Sequence, residues 1–252
     1  MGIFSIFTGK KALKEPVKLC FSTDIHCHLV PGVDDGSPDA PTSADLIERM
    51  QAWGIRRILT SPHVTQYTFE NDHSTIDPAM AQLHAELQKR GNDIPIANHA
   101  EYRIDGLFQE RLEKGDIMAL PDNWLLIENS FMQEPWNLDQ LVFDLQVRGF
   151  KPILAHPERY AYYSTKKERF DELHNAGLCF QINLLSLAGN YGKAERKMAE
   201  YLLDKGYVDF IGSDLHRKSH TECIDAYLLT SQAQSDMDKL ARTVQNDRFF
   251  PA

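Results

Sequence analysis

The chain has 252 residues, 42% of them hydrophobic, enough to bury a core without disulfides or a structural metal. Its formal net charge of -9 excludes the basic face of a general nucleic-acid binder. Anionic substrates stay open, because bound cations invert the local field.

Residues 3–7 are apolar through Ile3, Phe4, Ile6 and Phe7, and Lys10, Lys11 and Lys14 follow them, the reverse of a secretory signal. Residues 1–16 therefore read as an N-terminal tail, whose apolar side chains offer at most a weak membrane or partner contact. No apolar run approaches the roughly 20 residues of a membrane-spanning helix, so no stable membrane insertion is expected and a cytoplasmic location is the default. Cys20, Cys27, Cys179 and Cys223 lie far apart without a CxxC pair and read as reduced thiols.

Short apolar runs at 17–26, 55–61, 94–100, 124–128, 152–155, 178–183 and 208–212 have the pattern of strands buried on both faces. Amphipathic helices are expected at 40–52, 78–89, 138–148, 166–175 and 194–205. They stop before Gly54, Gly91, Gly149, Gly177 and Gly206, as a left-handed cap requires. Residues 219–252 read as helical packing around the rest, without chemistry. Strand–helix alternation implies an α/β fold with parallel strands. About seven repeats favour a distorted TIM-like (β/α)7 barrel over residues 17–252, with an open doubly wound sheet as the alternative. No G-x-G-x-x-G or P-loop follows a strand, so nucleotide-binding versions of the open sheet lack support.

Reactive groups of such a barrel sit at the C-terminal ends of its strands. Those ends read, in order, Asp24-Ile25-His26-Cys27-His28, Thr60-Ser61-Pro62-His63, His99-Ala100-Glu101, Ile127-Glu128-Asn129, Ala155-His156-Pro157-Glu158-Arg159 and Gly212-Ser213-Asp214-Leu215-His216. His26 and His28 alternate along a strand and project to one side. Any one of these histidines alone is more often a hydrogen-bonded structural residue. Imidazoles and carboxylates at nearly every strand end of one face instead predict a metal centre. Asp34 and Asp35, in Pro31-Gly32-Val33-Asp34-Asp35-Gly36, form either an acidic turn with a positive φ at Gly36 or a carboxylate reaching back to the metals.

The segments HCH, PGVDDGS, SPH, AEYR, IENS, AHPERY and SDLH resemble the PHP (polymerase and histidinol phosphatase) superfamily, from Asp24 to His216. They are most similar to its bacterial manganese-dependent protein tyrosine phosphatases of the capsule and exopolysaccharide type. The resemblance implies about three divalent ions activating a hydroxide for in-line attack on phosphorus. It puts the first on His26, His28, Glu101 and Asp214. The second would share Glu101 and add Glu128 and His156, and the third would use Asp35, His63 and His216. Such mixed ligands suit Mn2+, the expected ion, and also Fe or Zn. The absence of thiolate argues against a structural zinc site, and Cys27 points away from its neighbouring histidines.

Arg159 is the candidate phosphate clamp, because guanidinium pairs with phosphate oxygens in a fork; an ion pair with Glu158 is its structural alternative. Arg217 is a second candidate, by resemblance to a family arginine in this loop at a different spacing, with Lys218 and His220 as competitors. Arg103 would line the mouth or be solvated, and Asn183 would donate to a ligand carboxylate or cap the core. A cysteine phosphatase needs Arg six positions after its nucleophile. Here those positions hold His26, Val33, Leu185 and Leu229.

By the same resemblance the substrate is a phosphotyrosine protein, the tail of a bacterial tyrosine kinase. Tyr67, Phe69, Tyr102, Phe131, Trp136, Tyr160, Tyr162 and Tyr163 could stack a phenol ring or simply pack. A small-molecule phosphatase such as histidinol phosphatase is the first alternative. A TatD-like nuclease or amidohydrolase is the second, and would leave Asp35, His63 and His216 without work. A non-catalytic binding module is the third.

Overall fold

Strand and helix alternate around a parallel barrel in which two strands are broken halfway along their length. The computed structural model describes residues 13–249, so the apolar residues 3–7 and the lysines Lys10 and Lys11 lie outside the described residues. In chain order the elements are β1 (Thr23–Asp24), α1 (Ala40–Ala52), β2 (Arg57–Thr60), β3 (His63–Thr65), β4 (Phe69–Glu70), α2 (His73–Lys89), β5 (Ile96–Asn98), β6 (Glu101–Arg103) and α3 (Gly106–Lys114). There follow β7 (Trp124–Glu128), α4 (Leu138–Val147), β8 (Lys151–Ala155), α5 (Glu168–Asn175), β9 (Cys179–Asn183), α6 (Leu184–Leu187), α7 (Lys193–Lys205), β10 (Phe210–Gly212), α8 (Lys218–Leu228) and α9 (Ser231–Leu240).

One sheet runs β1-β2-β5 and the other β10-β9-β8-β7-β6-β3-β4, parallel throughout except for the β3–β4 hairpin. They are two parts of one barrel. β2 and β3 are a single strand interrupted at Ser61-Pro62, and β5 and β6 one interrupted at His99-Ala100. Main-chain bonds cross both breaks: Ser61 N to Cys27 O (2.8 Å), His99 N to Thr60 O (3.0 Å) and Glu101 N to Pro62 O (3.0 Å). Cys27 bridges Leu215 in parallel, and Asp214 N donates to His26 O at 2.8 Å, which closes the ring between its first and last strands. The result is the expected distorted TIM-like barrel.

Alternation along each strand separates two cores. On β7, Leu125 and Ile127 face the outer helices, while Trp124 and Leu126 join Ile25, Leu59, Ile153, Ala155 and Phe210 in an apolar interior. The next inward position is Glu128, so the interior is apolar at its floor and polar at its mouth.

The structure departs from the sequence reading at three places. Of residues 17–26 only Thr23–Asp24 forms a strand, because the earlier part runs along the end of α8, with Val17 N bonded to Leu228 O. Val17 and Phe21 are buried in the outer core, so their apolar signal needs no ladder. Helix α2 starts at His73, where Asp72 and Thr75 form a capping box, and Pro78 lies inside the helix rather than at its first turn.

The third difference is at the C terminus. After α8 and α9, the turn Asn246–Phe249 enters the barrel seam rather than wrapping the outside. Buried Asn246 donates through Nδ2 to Thr23 O (2.8 Å) and Ile211 O (2.7 Å), and accepts from Ile211 N (3.0 Å). One amide thus stands in for the missing ladder between β1 and β10. Phe249 stacks on Phe210 and meets Trp124 edge-on, closing the floor. Asn246→Ala leaves three buried backbone groups unpaired and is expected to destabilise the protein by about 2–4 kcal/mol. Urea denaturation checks this, and a midpoint equal to wild type would show that the seam does not depend on Asn246.

Candidate metal centre

The nine side chains singled out as ligands meet at the barrel mouth. Among the described residues, four overlapping sets have ligand atoms within 4.8 Å of one another: His26/His28/Asp214, His26/Glu101/His156, His63/Glu101/Glu128 and His28/Asp35/His63/His216. Glu101 lies at the middle. Its Oε2 is 3.3 Å from His26 Nε2, 3.5 Å from His28 Nε2 and 3.1 Å from His63 Nδ1, and its Oε1 is 3.0 Å from His156 Nε2. Asp214 Oδ1 lies 3.7 Å from His26 Nε2 and 3.5 Å from His28 Nε2. Asp35 Oδ1 is 3.6 Å from Nε2 of both His63 and His216, nearer solvent.

The imidazoles are aimed by hydrogen bonds at their far nitrogens. Nδ1 of His26 contacts Gln181 Oε1 (2.6 Å), Nδ1 of His28 contacts Asp34 Oδ2 (2.9 Å), and Nδ1 of His216 contacts the Asp214 carbonyl (2.9 Å). A donor at Nδ1 leaves the Nε2 lone pair pointing at the shared space, the usual preparation of a metal-ligating histidine. His26 Nε2, His28 Nε2, His63 Nδ1 and Glu101 Oε2 are buried and make no hydrogen bond. Buried polar atoms are seldom left unpaired, so convergent orphans of ligand type fit divalent cations.

Backbone geometry also serves the cluster. His156 (φ +36°) and Asp214 (φ +52°) take left-handed conformations that β-strand residues avoid, strain of the kind kept at functional sites. A Cβ on Gly212 would lie 2.4 Å from His26 Cβ, and one on Gly36 would lie 2.3 Å from His28 O. Gly36 is therefore required for close approach; Gly32, not Gly36, supplies the positive φ of this turn.

Electrostatics point the same way. Burial opposes a charge on His26 and His63, yet Glu101 and its neighbouring carboxylates raise them to about 9 and about 10. Burial also opposes ionisation of Glu101, but His26 and His63 hold it well below the usual carboxylate range. Burial and then Glu101 push Glu128 up to about 7. Without bound cations the carboxylates draw protons onto His26 and His63 instead, while burial holds His28 and His156 down at about 4.

The centre opens into a cleft of about 300 Å³ lined by Arg103, Arg159 and Arg217 among others. Arg159 Nη1 holds Asp214 Oδ2 at 3.0 Å, and its guanidinium lies 4.9 Å from the Phe131 ring centre and 4.1 Å from that of Tyr191. It does not pair with Glu158, which is buried and accepts from Asn183 N and Ser186 Oγ. Arg103 pairs with Glu128 at 2.7 Å, and Arg217 Nε donates to His220 Nε2 at 3.1 Å. Lys218 is exposed and does not line the cleft. Asn183 donates to Asp214 Oδ2 at 2.6 Å, joined there by the Tyr191 hydroxyl at 2.8 Å.

Of the eight aromatic residues, only Phe69 and Phe131 line the cleft. Tyr102, Tyr160 and Tyr163 are core, Tyr162 packs against that core, and Tyr67 and Trp136 stand in solvent. The sequence reading missed Gln181 and Tyr191, and of the pair Asp34 and Asp35 it is Asp34 that orients His28 while Asp35 faces the cluster. Gln181 shares a strand face with Asn183, a signal that alternation carries; Tyr191 lies in a loop and gave none. The buried Cys27 thiol belongs to the outer core, and burial pushes it well above its usual range.

Because the folded-state values of His26 and His63 are raised, their contribution to stability is full below pH 6.5 and fades as pH climbs through about 9 and 10. Cations bound at these ligands would replace those protons. The rise in melting temperature produced by saturating Mn2+ over chelated protein is therefore expected to grow between pH 6.5 and about 9. Calorimetric scans in matched buffers measure it, and an increment that shrinks across this range contradicts the account.

The model of the family described as capsular polysaccharide synthesis, CpsB/CapC, matches residues 22–233. Tyrosine-protein phosphatase YwqE of Bacillus subtilis is 32% identical over 204 residues, 79% of this chain and 80% of the relative. Tyrosine-protein phosphatase CpsB of Streptococcus pneumoniae is 31% identical over 201 residues, 77% of this chain and 82% of the relative. One of the crystal structures of these two proteins, described as unique metal-dependent tyrosine phosphatases, aligns with a TM-score of 0.74 at 29% identity, covering 88% of this chain and 95% of that one. The histidinol phosphate phosphatase of Lactococcus lactis, crystallised with zinc, L-histidinol and phosphate, shares the fold at 18% identity and a TM-score of 0.56, over 88% of this chain and 94% of that one. With a matched span that takes in every residue of the mouth cluster, the chain belongs to the CpsB/CapC family of capsular polysaccharide synthesis.

Proposed function

We propose that this chain is a manganese-dependent protein tyrosine phosphatase acting in capsule or exopolysaccharide synthesis, with the phosphorylated tail of a bacterial tyrosine kinase as its substrate. The observation that carries the reading is the convergence of nine metal-competent side chains on one buried space, with unpaired atoms facing inward. The names of its relatives support the reaction. A cytoplasmic location accords with it, and no helix of the described residues is long and apolar enough to cross a membrane. The phosphoesterase unit is taken to span residues 17–252.

The ligand sets proposed are His26, His28, Glu101 and Asp214 for one ion, Glu101, Glu128 and His156 for a second, and Asp35, His63 and His216 for a third. His28 also approaches the third set, and an ion held there would give Asp35, His63 and His216 the work that a TatD-like enzyme would deny them. Bound divalent ions supply Lewis acidity toward phosphate oxygens and acidify a water at neutral pH.

The chain's own residues supply the rest. Arg159, held between Phe131 and Tyr191 and tied to Asp214, presents a pre-oriented fork to two phosphate oxygens. Arg217, braced by His220, adds positive charge to the cleft lining. Phe131 offers a ring face beside the cleft for the phenol of the leaving group. Asn183 and Tyr191 fix the Asp214 carboxylate, so that it keeps one geometry through turnover.

Chelated protein is expected to lose turnover of a phosphotyrosyl peptide and regain it with Mn2+, with a kcat/KM above that for histidinol phosphate. Arg159→Lys keeps the charge and loses the fork, so kcat/KM should fall about 100-fold. Turnover that survives chelation, or a preference for histidinol phosphate, would overturn this function.

A further inference from the structure

Phosphate chemistry accounts for the floor of the cleft but not for its rim. Tyr67 is 89% exposed, Met132 88% and Trp136 94%, unusual for side chains of this size. The positions of Tyr67 and Met132 are tied to the cleft by the chain itself. Tyr67 sits between Thr65 and Thr68, and Met132 follows Phe131, all three of which line the cleft. Around the barrel these segments follow β3 and β7 and flank Arg103, the last residue of β6.

Neither segment is loosely held. Tyr67 N donates to Glu70 Oε1 at 2.9 Å, and Gln66 N to Asp105 Oδ2 at 2.9 Å. In the second segment the Tyr162 hydroxyl donates to Ser130 O (3.1 Å), Met132 N donates to Ser130 Oγ (3.2 Å), and Arg169 grips the Glu134 carboxylate at 2.9 Å. Tyr67 moreover has φ +65°, a left-handed conformation that costs a tyrosine energy and would cost glycine little. A strained backbone that holds an aromatic ring in water has no packing role.

We propose that Tyr67 and Met132, continued by Trp136, form a docking rim for apolar or aromatic residues flanking the phosphotyrosine of a polypeptide substrate. The inference rests on the protein-phosphatase reading above. A phosphotyrosine that reaches the metal centre must carry its neighbours across this arc, where Tyr67, Met132 and Trp136 present rings and a thioether to solvent. A flexible thioether beside rigid aromatic rings suits recognition of several apolar side chains rather than one shape.

The test uses manganese-loaded Tyr67→Gly and Met132→Ser with three substrates: p-nitrophenyl phosphate, a phosphotyrosyl peptide flanked by Leu and Tyr, and one flanked by Gly and Ser. Wild type should prefer the apolar peptide. In each variant the KM for that peptide should rise about 5- to 10-fold with kcat unchanged, while the other two substrates are unaffected. Tyr67→Gly should also melt no lower than wild type, which separates a docking role from a structural one. Equal use of both peptides by wild type, or variants that retain the preference, would overturn the proposal. So would a concentration-dependent dimer dissolved by Tyr67→Gly, which assigns the arc to a second copy. Failure of wild type to hydrolyse any phosphotyrosyl substrate, with p-nitrophenyl phosphate still turned over, would instead overturn the parent reading and this inference with it.

Discussion

Everything at the barrel mouth depends on placing carboxylates and imidazoles where water cannot reach them. Glu101 is fully buried with His26, His28, His63 and His156 all within 3.5 Å. An isolated charge in such a place costs several kcal/mol, and only countercharge makes it tolerable. Protons on His26 and His63 supply some of it in the metal-free protein; divalent cations would supply more and would use the unpaired lone pairs. The local architecture follows from that demand. The strand interruptions at Pro62 and Ala100 set His63 and Glu101 on paired positions of adjacent strands. The absent side chain of Gly212 admits His26, and the left-handed turns at His156 and Asp214 swing both side chains inward.

Those strains need support from elsewhere, and the barrel floor provides it. Trp124, Phe210 and Phe249 pack ring on ring beneath Leu126, Ile153 and Ala155, an apolar plug with no polar role. The β1–β10 seam lies between floor and mouth and has few ladder bonds of its own. Asp24 accepts from His26 N and Ser213 N near its upper end, and Asn246 bridges it below. The residues that hold the seam thus determine whether His26 and Asp214, on its two sides, stay within reach of one cation.

The ligand constellation was legible because strand–helix alternation fixes which end of each strand is reactive, and because imidazoles and carboxylates recur at those ends. Helix stops were legible too: Gly54, Gly91, Gly149, Gly177 and Gly206 all have positive φ. What stayed hidden depends on tertiary neighbours. The pairing of Arg159 with Asp214 rather than Glu158 joins residues 55 apart in sequence, across β9, which lies between β8 and β10. Asn246 looks like any loop asparagine until β1 and β10 flank it. Apolar residues at 17–22 resembled a strand because burial against helices and burial in a sheet leave the same hydrophobic trace over so short a run.

Chemistry and substrate choice are carried by different parts of this fold. The same barrel appears at 18% identity in a histidinol phosphate phosphatase and, at 12% identity with a TM-score of 0.57, in an amidohydrolase of Mycoplasma synoviae, so the scaffold alone selects neither reaction nor substrate. A cluster of cations at strand ends recognises phosphate and is indifferent to what the phosphate is attached to. Discrimination must then come from groups that touch the remainder of the substrate, and on this chain those belong to the β3–β4 turn and the segment after β7. Both are fixed by hydrogen bonds and ion pairs while their largest side chains stay in water. Rigid placement with open side chains is what a recognition surface requires, since ordering it beforehand lowers the entropy lost on binding.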